Sequence, residues 1–506
     1  MQPKRLLSAM GLGLILAVGA LMRLPNLRTV PAWYPDEGSW VTVAAELLRG
    51  QSAYMAFGRS SLIAGRPPLF HWLLAGWFSV TGVDIFWARL LTVSLGLLTL
   101  VLLYLVVERM AGTGAALSAS AFYAVYPAAA VYQRMALTYH LLAPCYVLAI
   151  FGLWRLAQDR RRRWIVLAAL CAGLGLLTDW VAVSLLAFVV LSLGVIRPRA
   201  LLWAVPLALS PFFVWCAATW AASGDAFIHD LAFTFSRTQA PLALQVARIV
   251  FYRTTLEGDV WLTLGGLGLL LQSERRQRWL TAGLLGLTLL VVARNGPAVY
   301  QASYFLIPLL PLAAWGVGLL VARGVPILVG QLETAWQSVW PRAPHVARVL
   351  TSLILFLLVL APVLSMIAEG TLMNYGLYLS RMGDTLADPA TAEQSAEYVN
   401  ARTTSEDVVL VSPTIAWLFH AHVADFQMAV AATGKATSHF PADIPPDRFR
   451  FDPRLENAKY VIIDPLWRGW ASAQMPEVAE IIRQVESGWK QEMRFGRFEI
   501  YRQPPR

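Results

Sequence analysis

Two adjacent acids, Asp36 and Glu37, stand in the segment YPDEGSW just after the first hydrophobic run of this chain. An amphipathic stretch from Val41 to Leu48 follows, and then GRPPLFHW around Arg66. A carboxylate can accept the proton of a hydroxyl, and a guanidinium can hold a phosphate through two parallel hydrogen bonds. Acid and cation together at a membrane edge make a functional site the default expectation. The acids could equally cap a helix, where a carboxylate satisfies free N–H groups and the positive dipole end. The two roles are compatible, because a capping carboxylate is held in place.

Arg66 precedes Pro67-Pro68, which pushes its backbone toward an extended conformation and sends its side chain out of a rigid loop. Attraction to anionic lipid is the plain alternative for such a cation. Arg89 and Arg134 each fall at the outer end of an expected span, where the positive-inside rule gives no reason for a cation. Snorkelling would account for each alone. Outward charges of both signs gathered at one level point to a lipid-phosphate site.

These residues must be positioned by membrane helices. The chain has 506 residues, of which 57% are hydrophobic and only 14% charged, which excludes an ordinary soluble globule. Its 20 tryptophans suit the two bilayer interfaces. The net charge of +10 does not imply nucleic acid, because the cations fall in short loops between apolar runs. Cys145, Cys171 and Cys216 lie inside apolar runs without CxxC spacing and read as small core residues. The run after Lys4 and Arg5 continues into Met22, Arg23 and Leu24 with no small-x-small cleavage site, so an uncleaved first span is expected.

Apolar runs lie near 6–24, 86–107, 113–131, 140–157, 164–178, 181–196, 200–221, 259–272, 280–293, 303–322 and 348–367, giving about eleven spans. Alternate loops carry Lys4/Arg5, Arg109, Arg160–Arg163, Arg197/Arg199, Arg275/Arg276/Arg278 and Arg323/Arg342, which marks them cytoplasmic. Loops 25–85 and 222–258 are then outside, as is the C-terminal region. In the first of these, Leu69 to Val80 is too short to span and should lie flat on the outer leaflet. The expected organisation is a polytopic membrane domain over 1–367, with its site in loop 25–85, and an extracytoplasmic α/β domain over 368–506. In the latter, VVLVSP (408–413) and KYVIIDP (459–465) read as buried strands, PEVAEIIRQVESGW (476–489) as a helix, and FGRFEIYRQ (495–503) as an edge strand.

The chain resembles the GT-C superfamily of membrane glycosyltransferases, of the protein O-mannosyltransferase and lipid A aminoarabinose transferase type (glycosyltransferase family 39-like). The resemblance rests on Asp36-Glu37 after the first span, the amphipathic helix ending at Gly50, Arg66-Pro67-Pro68-Leu69, Arg89-Leu90-Leu91, and Arg134-Met135-Ala136-Leu137-Thr138. YFLIPLLPL (304–312) is a weaker echo of a late family helix. Two departures stand out. Tyr139-His140 occupies the place where relatives carry an acid, and arginine replaces the usual lysine before Pro-Pro.

The resemblance implies transfer of a sugar from a polyprenyl-phosphate carrier to an acceptor hydroxyl at the outer face of a cell membrane. Asp36 would be the base with Glu37 orienting it, Arg66 the leading phosphate ligand, and Arg89 and Arg134 behind it. One base and a phosphate leaving group imply inversion. Tyr139 and His140 are accessory candidates, His140 as metal ligand, proton acceptor or, the favoured reading, a helix-end hydrogen bonder. Asp179 reads as a turn residue. No obligatory cofactor is expected, although substrate phosphate could complete a divalent-cation site. The partners implied are the lipid-linked sugar donor, membrane lipids and an acceptor that is a lipid, glycan or protein, with no nucleic acid. The competing readings are a transporter or lipid flippase, whose charges would sit nearer the midplane, and an inactive scaffold of the same fold.

Overall fold

In a computed structural model the chain is described from residue 3 to 505, except for 52–54, 58–66, 237–240, 256–259, 295–302, 340–343 and 375–384. Among these residues, Ile85–Ala111, Thr138–Asp159, Pro198–Ser223, Tyr304–Trp336 and Arg348–Leu372 are long and apolar enough to cross a membrane. A sixth crossing arises if Thr113–Val125 and Pro127–Gln133, bent by 58°, form one span. The remaining segments expected as spans fall on shorter helices, Leu6–Leu21 and Trp180–Ile196 among them, so length and composition alone do not carry the count to eleven.

Local chemistry sets the elements that matter for the site. Helix Ile85–Ala111 starts where the Asp84 side chain accepts from the Phe86 N–H at 2.7 Å, and it ends at Gly112, whose φ of 94° suits glycine alone. The 58° bend sits at Tyr126, held extended before Pro127, which lacks the N–H needed to continue the first helix. The short helix after the bend delivers Arg134 at its end. Helix Leu310–Leu319 is buried throughout its length. It meets helix Trp261–Leu269 along Gly265 and Gly268, where any Cβ would strike the backbone of Ala313 or Gly316. Small residues at that seam let the backbones close without side-chain volume between them.

The loop expected over 25–85 contains helices Pro35–Leu48 and Leu69–Thr81, packed on each other. The second buries Phe70, His71, Leu74 and Phe78 and leaves Trp72, Leu73 and Val80 exposed, an apolar outer face suited to lying along a leaflet. Loop 222–258 forms helices Asp225–Ser236 and Leu242–Thr255.

The tail is a five-stranded sheet ordered β2-β1-β3-β5-β4, with β1 at Val408–Leu410, β2 at His422–Ala424, β3 at Ala458–Ile463, β4 at Lys490–Phe495 and β5 at Phe498–Arg502. β1 runs parallel to β2 and β3, and β5 runs antiparallel to β3 and β4. Helix Pro476–Gly488 packs through Val478, Ile482 and Val485. The expected edge strand over 495–503 is corrected: β5 lies inside the sheet and β4 forms the edge. Glu499 made that segment look half-solvated, but it is buried and paired with Arg468. β4 carries Lys490, Glu492 and Arg494, charges that discourage pairing with another chain.

Candidate functional site

Helix Pro35–Leu48 begins with proline at its first position, so Asp36 and Glu37 fall in its first turn. There their environments diverge. Glu37 is fully buried and clamped by Arg89, whose Nε donates to Oε1 and whose second terminal nitrogen donates to Oε2, each at 2.7 Å. Oε1 also accepts from the Ala136 N–H at 2.9 Å, and Oε2 from the Tyr34 N–H at 3.4 Å. Glu37 therefore ties the acid helix to helix Ile85–Ala111 and to the segment after Arg134. Its lone pairs are committed to that task.

Asp36 is half-buried. Its Oδ2 accepts from the Tyr304 hydroxyl at 2.5 Å. Among the described residues the other carboxylate oxygen takes no donor from the protein. Tyr304 stacks on Tyr139 with ring centroids 5.3 Å apart, and Tyr34 meets Tyr304 edge-on at 6.1 Å. Tyr139 thus serves as a wall of the site. Tyr304 is the functional candidate that sequence reasoning passed over as a residue, although the segment YFLIPLLPL was singled out. Nothing in local spacing links residues 36 and 304.

Arg89 and Arg134, expected at a donor phosphate, are buried and occupied. Arg89 donates to the Leu27 and Pro31 carbonyls at 3.0 and 2.8 Å as well as to Glu37. Arg134 donates to the Val30 carbonyl at 3.1 and 2.8 Å, to the Pro25 carbonyl at 2.6 Å and to the Asn374 side chain. Both shape segment 25–32, which leads into the acid helix. A third buried arginine, Arg23, donates to the Gly19, Ala124 and Tyr123 carbonyls and to Gln133. Arg66 lies outside the described residues. His140 hydrogen-bonds the Tyr132 carbonyl through Nε2 at 2.7 Å, the helix-end role favoured for it, and Asp179 caps the turn Trp180–Ala182 by accepting from the Val181 N–H at 2.9 Å. Among the described residues no three His, Cys, Asp or Glu side chains gather to hold a metal ion.

The tail closes over this loop. A Cβ on Gly38 would collide with the Pro413 and Thr414 carbonyl oxygens, so only glycine allows the acid helix to meet the segment after β1. Trp33 bridges Ala387 through paired 2.9 Å backbone hydrogen bonds and packs on Trp417. Arg448 pairs with buried Asp230 at 2.5 Å, and Arg450 with Glu46 at 3.1 Å. Phe57, just before 58–66, lies against Phe440 and Phe449.

A bundle of apolar helices and an α/β tail docked on an acid-bearing loop make up a fold shared with known structures. The chain superposes on ArnT from Cupriavidus metallidurans over 98% of its own length and 99% of the other. The TM-score is 0.67 at 16% identity for the apo state, and 0.66 at 15% identity for the form bound to undecaprenyl phosphate. AglB, the oligosaccharyltransferase of Archaeoglobus fulgidus in complex with an inhibitory peptide and a dolichol-phosphate, matches 100% of this chain and 75% of its own, with TM-score 0.57 and 12% identity. In sequence, residues 65–220 match the dolichyl-phosphate-mannose-protein mannosyltransferase family. No curated protein matches the chain by sequence.

Proposed function

We propose that this protein is a membrane glycosyltransferase that moves a sugar from a polyprenyl-phosphate carrier to an acceptor hydroxyl at the outer face of the membrane. The observation that carries the reading is the division of labour between the two adjacent acids. Glu37 is consumed by Arg89, while Asp36 keeps an oxygen available beside the Tyr304 hydroxyl. The fold adds support, since ArnT binds undecaprenyl phosphate and AglB a dolichol-phosphate in the structures it resembles.

In the proposed reaction the acceptor oxygen forms its bond to the anomeric carbon as the carbon–phosphate oxygen bond breaks. Its proton passes to Asp36, and the electron pair leaves on the carrier phosphate. A single displacement inverts the anomeric centre. Arg66 is proposed as the direct phosphate ligand. Arg89 and Arg134 act by positioning segment 25–32 and by their positive field, because their N–H groups are already engaged. The N-terminus is assigned to the cytoplasm and the tail to the outside, by the alternation of loop arginines. No obligatory metal is invoked, since a guanidinium can stabilise the leaving phosphate.

Asp36→Asn tests the assignment because it keeps shape and capping ability while removing basicity. Turnover should fall roughly 10²-fold, the order expected for a lost general base, with thermal stability unchanged. The readout is restoration of glycosylated envelope lipids, glycans or exported proteins, followed by mass spectrometry in cells lacking the native copy. Full restoration by Asp36→Asn would rule the base role out.

A further inference from the structure

Helix Leu142–Asp159 starts beside the Tyr139–Tyr304 stack, and its far end reaches a second charged region. There a cavity of about 150 Å³ opens between Arg160, Ser192, Val195, Arg276, Trp279 and Leu280. Arg197 donates to the Arg160 carbonyl at 2.9 Å and Arg276 to the Ala157 carbonyl at 3.4 Å, which draws three inter-helix segments to one rim. Among the described residues the Arg160 guanidinium has no hydrogen bond or ion pair with the protein. The hydroxyl of Ser192, a residue that lines the cavity, is buried and has no partner among the described residues either. A buried hydroxyl inside a membrane helix ordinarily bonds the preceding turn, so an unpaired one at a cavity points to a ligand.

The surroundings indicate which ligand. Segments 155–163, 197–199 and 274–278 hold ten arginines against two acids, Asp159 and Glu274. Asp159 is already engaged by Arg155 and Trp164. Arg155 and Arg163 lie over the Trp164 ring, and exposed Trp279 stands at the same end, as expected at a membrane–water interface. Val195 and Trp279 expose apolar surface next to the cations. Cations around a small polar cavity with an apolar wall match a phosphate carrying acyl chains better than a soluble anion.

We propose that this cavity binds the headgroup phosphate of an anionic phospholipid from the leaflet opposite the Asp36 site. Arg160 and Arg276 take the phosphate, the Ser192 hydroxyl donates to it, and acyl chain runs along Val195 and Trp279. The site is independent of the glycosyltransferase reading and needs no step of that reaction.

The test uses the full-length protein, delipidated in detergent and supplied with phosphatidylglycerol, with phosphatidylcholine of the same chains, or with inorganic phosphate. Native mass spectrometry counts bound lipid and thermal unfolding reports stabilisation. Phosphatidylglycerol should bind and raise Tm, whereas phosphatidylcholine and phosphate should not. The double variant Arg160→Gln/Arg276→Gln should weaken phosphatidylglycerol binding about tenfold or more, since charge-assisted hydrogen bonds are lost. Ser192→Leu, which fills the cavity and leaves both arginines, should do the same, and Arg160→Lys/Arg276→Lys should retain the preference for anionic lipid. Equal binding of phosphatidylcholine, an equal shift with inorganic phosphate, or undiminished binding by both the Gln and the Leu variants would overturn the proposal.

Discussion

Arginines occupy both ends of the helical body, but they meet different fates. At the end that carries Asp36, Arg23, Arg89 and Arg134 are buried, and backbone carbonyls, Gln133, Asn374 and Glu37 accept their hydrogen bonds. At the other end Arg160, which caps helix Leu142–Asp159, and Arg276, in the short helix Arg275–Arg278, lie on the surface where few carboxylates answer them. The first set is architecture, fixing the path of segment 25–32 into the acid helix. In the second set Arg160 has no partner among the described residues, and Arg276 makes one long bond to the Ala157 carbonyl. An arginine's residue type announces only that an anion or a row of carbonyls will be found; which one depends on what the fold brings to its five N–H groups.

The sharpest way to break this contrast is to remove one partner of the buried pair. Glu37→Ala or Arg89→Met leaves an uncompensated charge in the interior and should cost about 3–5 kcal/mol. Thermal unfolding in detergent would register a large fall in Tm and a poor yield of folded protein. A Tm close to wild type would mean that the pair is not structural, and Glu37 would return as a catalytic candidate.

Buried carboxylates that no arginine clamps sharpen the contrast from the other side. Asp425 and Asp464 cap turns after β2 and β3, and burial pushes each up to about 6 from 3.8. Between those pH values the folded tail binds more protons than the unfolded chain, so their contribution to stability falls as pH rises from about 4 to 6. Asp425→Asn and Asp464→Asn keep the cap and remove the titration. Each should raise stability at pH 7 by about 1–3 kcal/mol and flatten that part of the pH profile, measured as Tm from pH 4 to 7. An unchanged profile in the double variant would show that these groups titrate as they do in the unfolded chain.

A smaller effect is expected where a hydroxyl holds the acid proposed as the base. Tyr304→Phe removes the bond to Asp36 but keeps the ring stacked on Tyr139, so turnover should fall about tenfold with Tm nearly unchanged. A loss as large as that of Asp36→Asn would assign Tyr304 a proton-transfer role of its own. Least affected should be the rim: in neutral lipid, Arg160→Gln and Arg276→Gln should alter stability by no more than about 0.5 kcal/mol. A fall comparable with that of Arg89→Met would erase the distinction between the two ends.

Much of this was legible along the chain, for reasons of period and exclusion. Stretches of apolar residues located the membrane helices, because backbone polar groups in lipid must pair within the segment. Asp36 and Glu37 could be read as the cap of a helix, and the buried runs of β1 and β3 announced an α/β tail. Other features escaped for equally definite reasons. Glu499 reads as an outward residue until its pairing with Arg468 is known, so β5 resembled an edge strand. Spans interrupted at Pro127, or shortened as in Trp180–Ile196, leave the number of crossings beyond what length alone supports.

By itself the sequence determined the apolar helices and the loop in which acids and cations gather, since hydrophobic period, caps and prolines act over a few residues. Only the tertiary structure decided which of two neighbouring acids is spent and which is available. Arg89 is 52 residues from Glu37, and Tyr304 is 268 residues from Asp36. Consecutive residues in the first turn of a helix point in directions about 100° apart, so each meets a different wall of the folded protein. The chemistry of each acid is set by that wall.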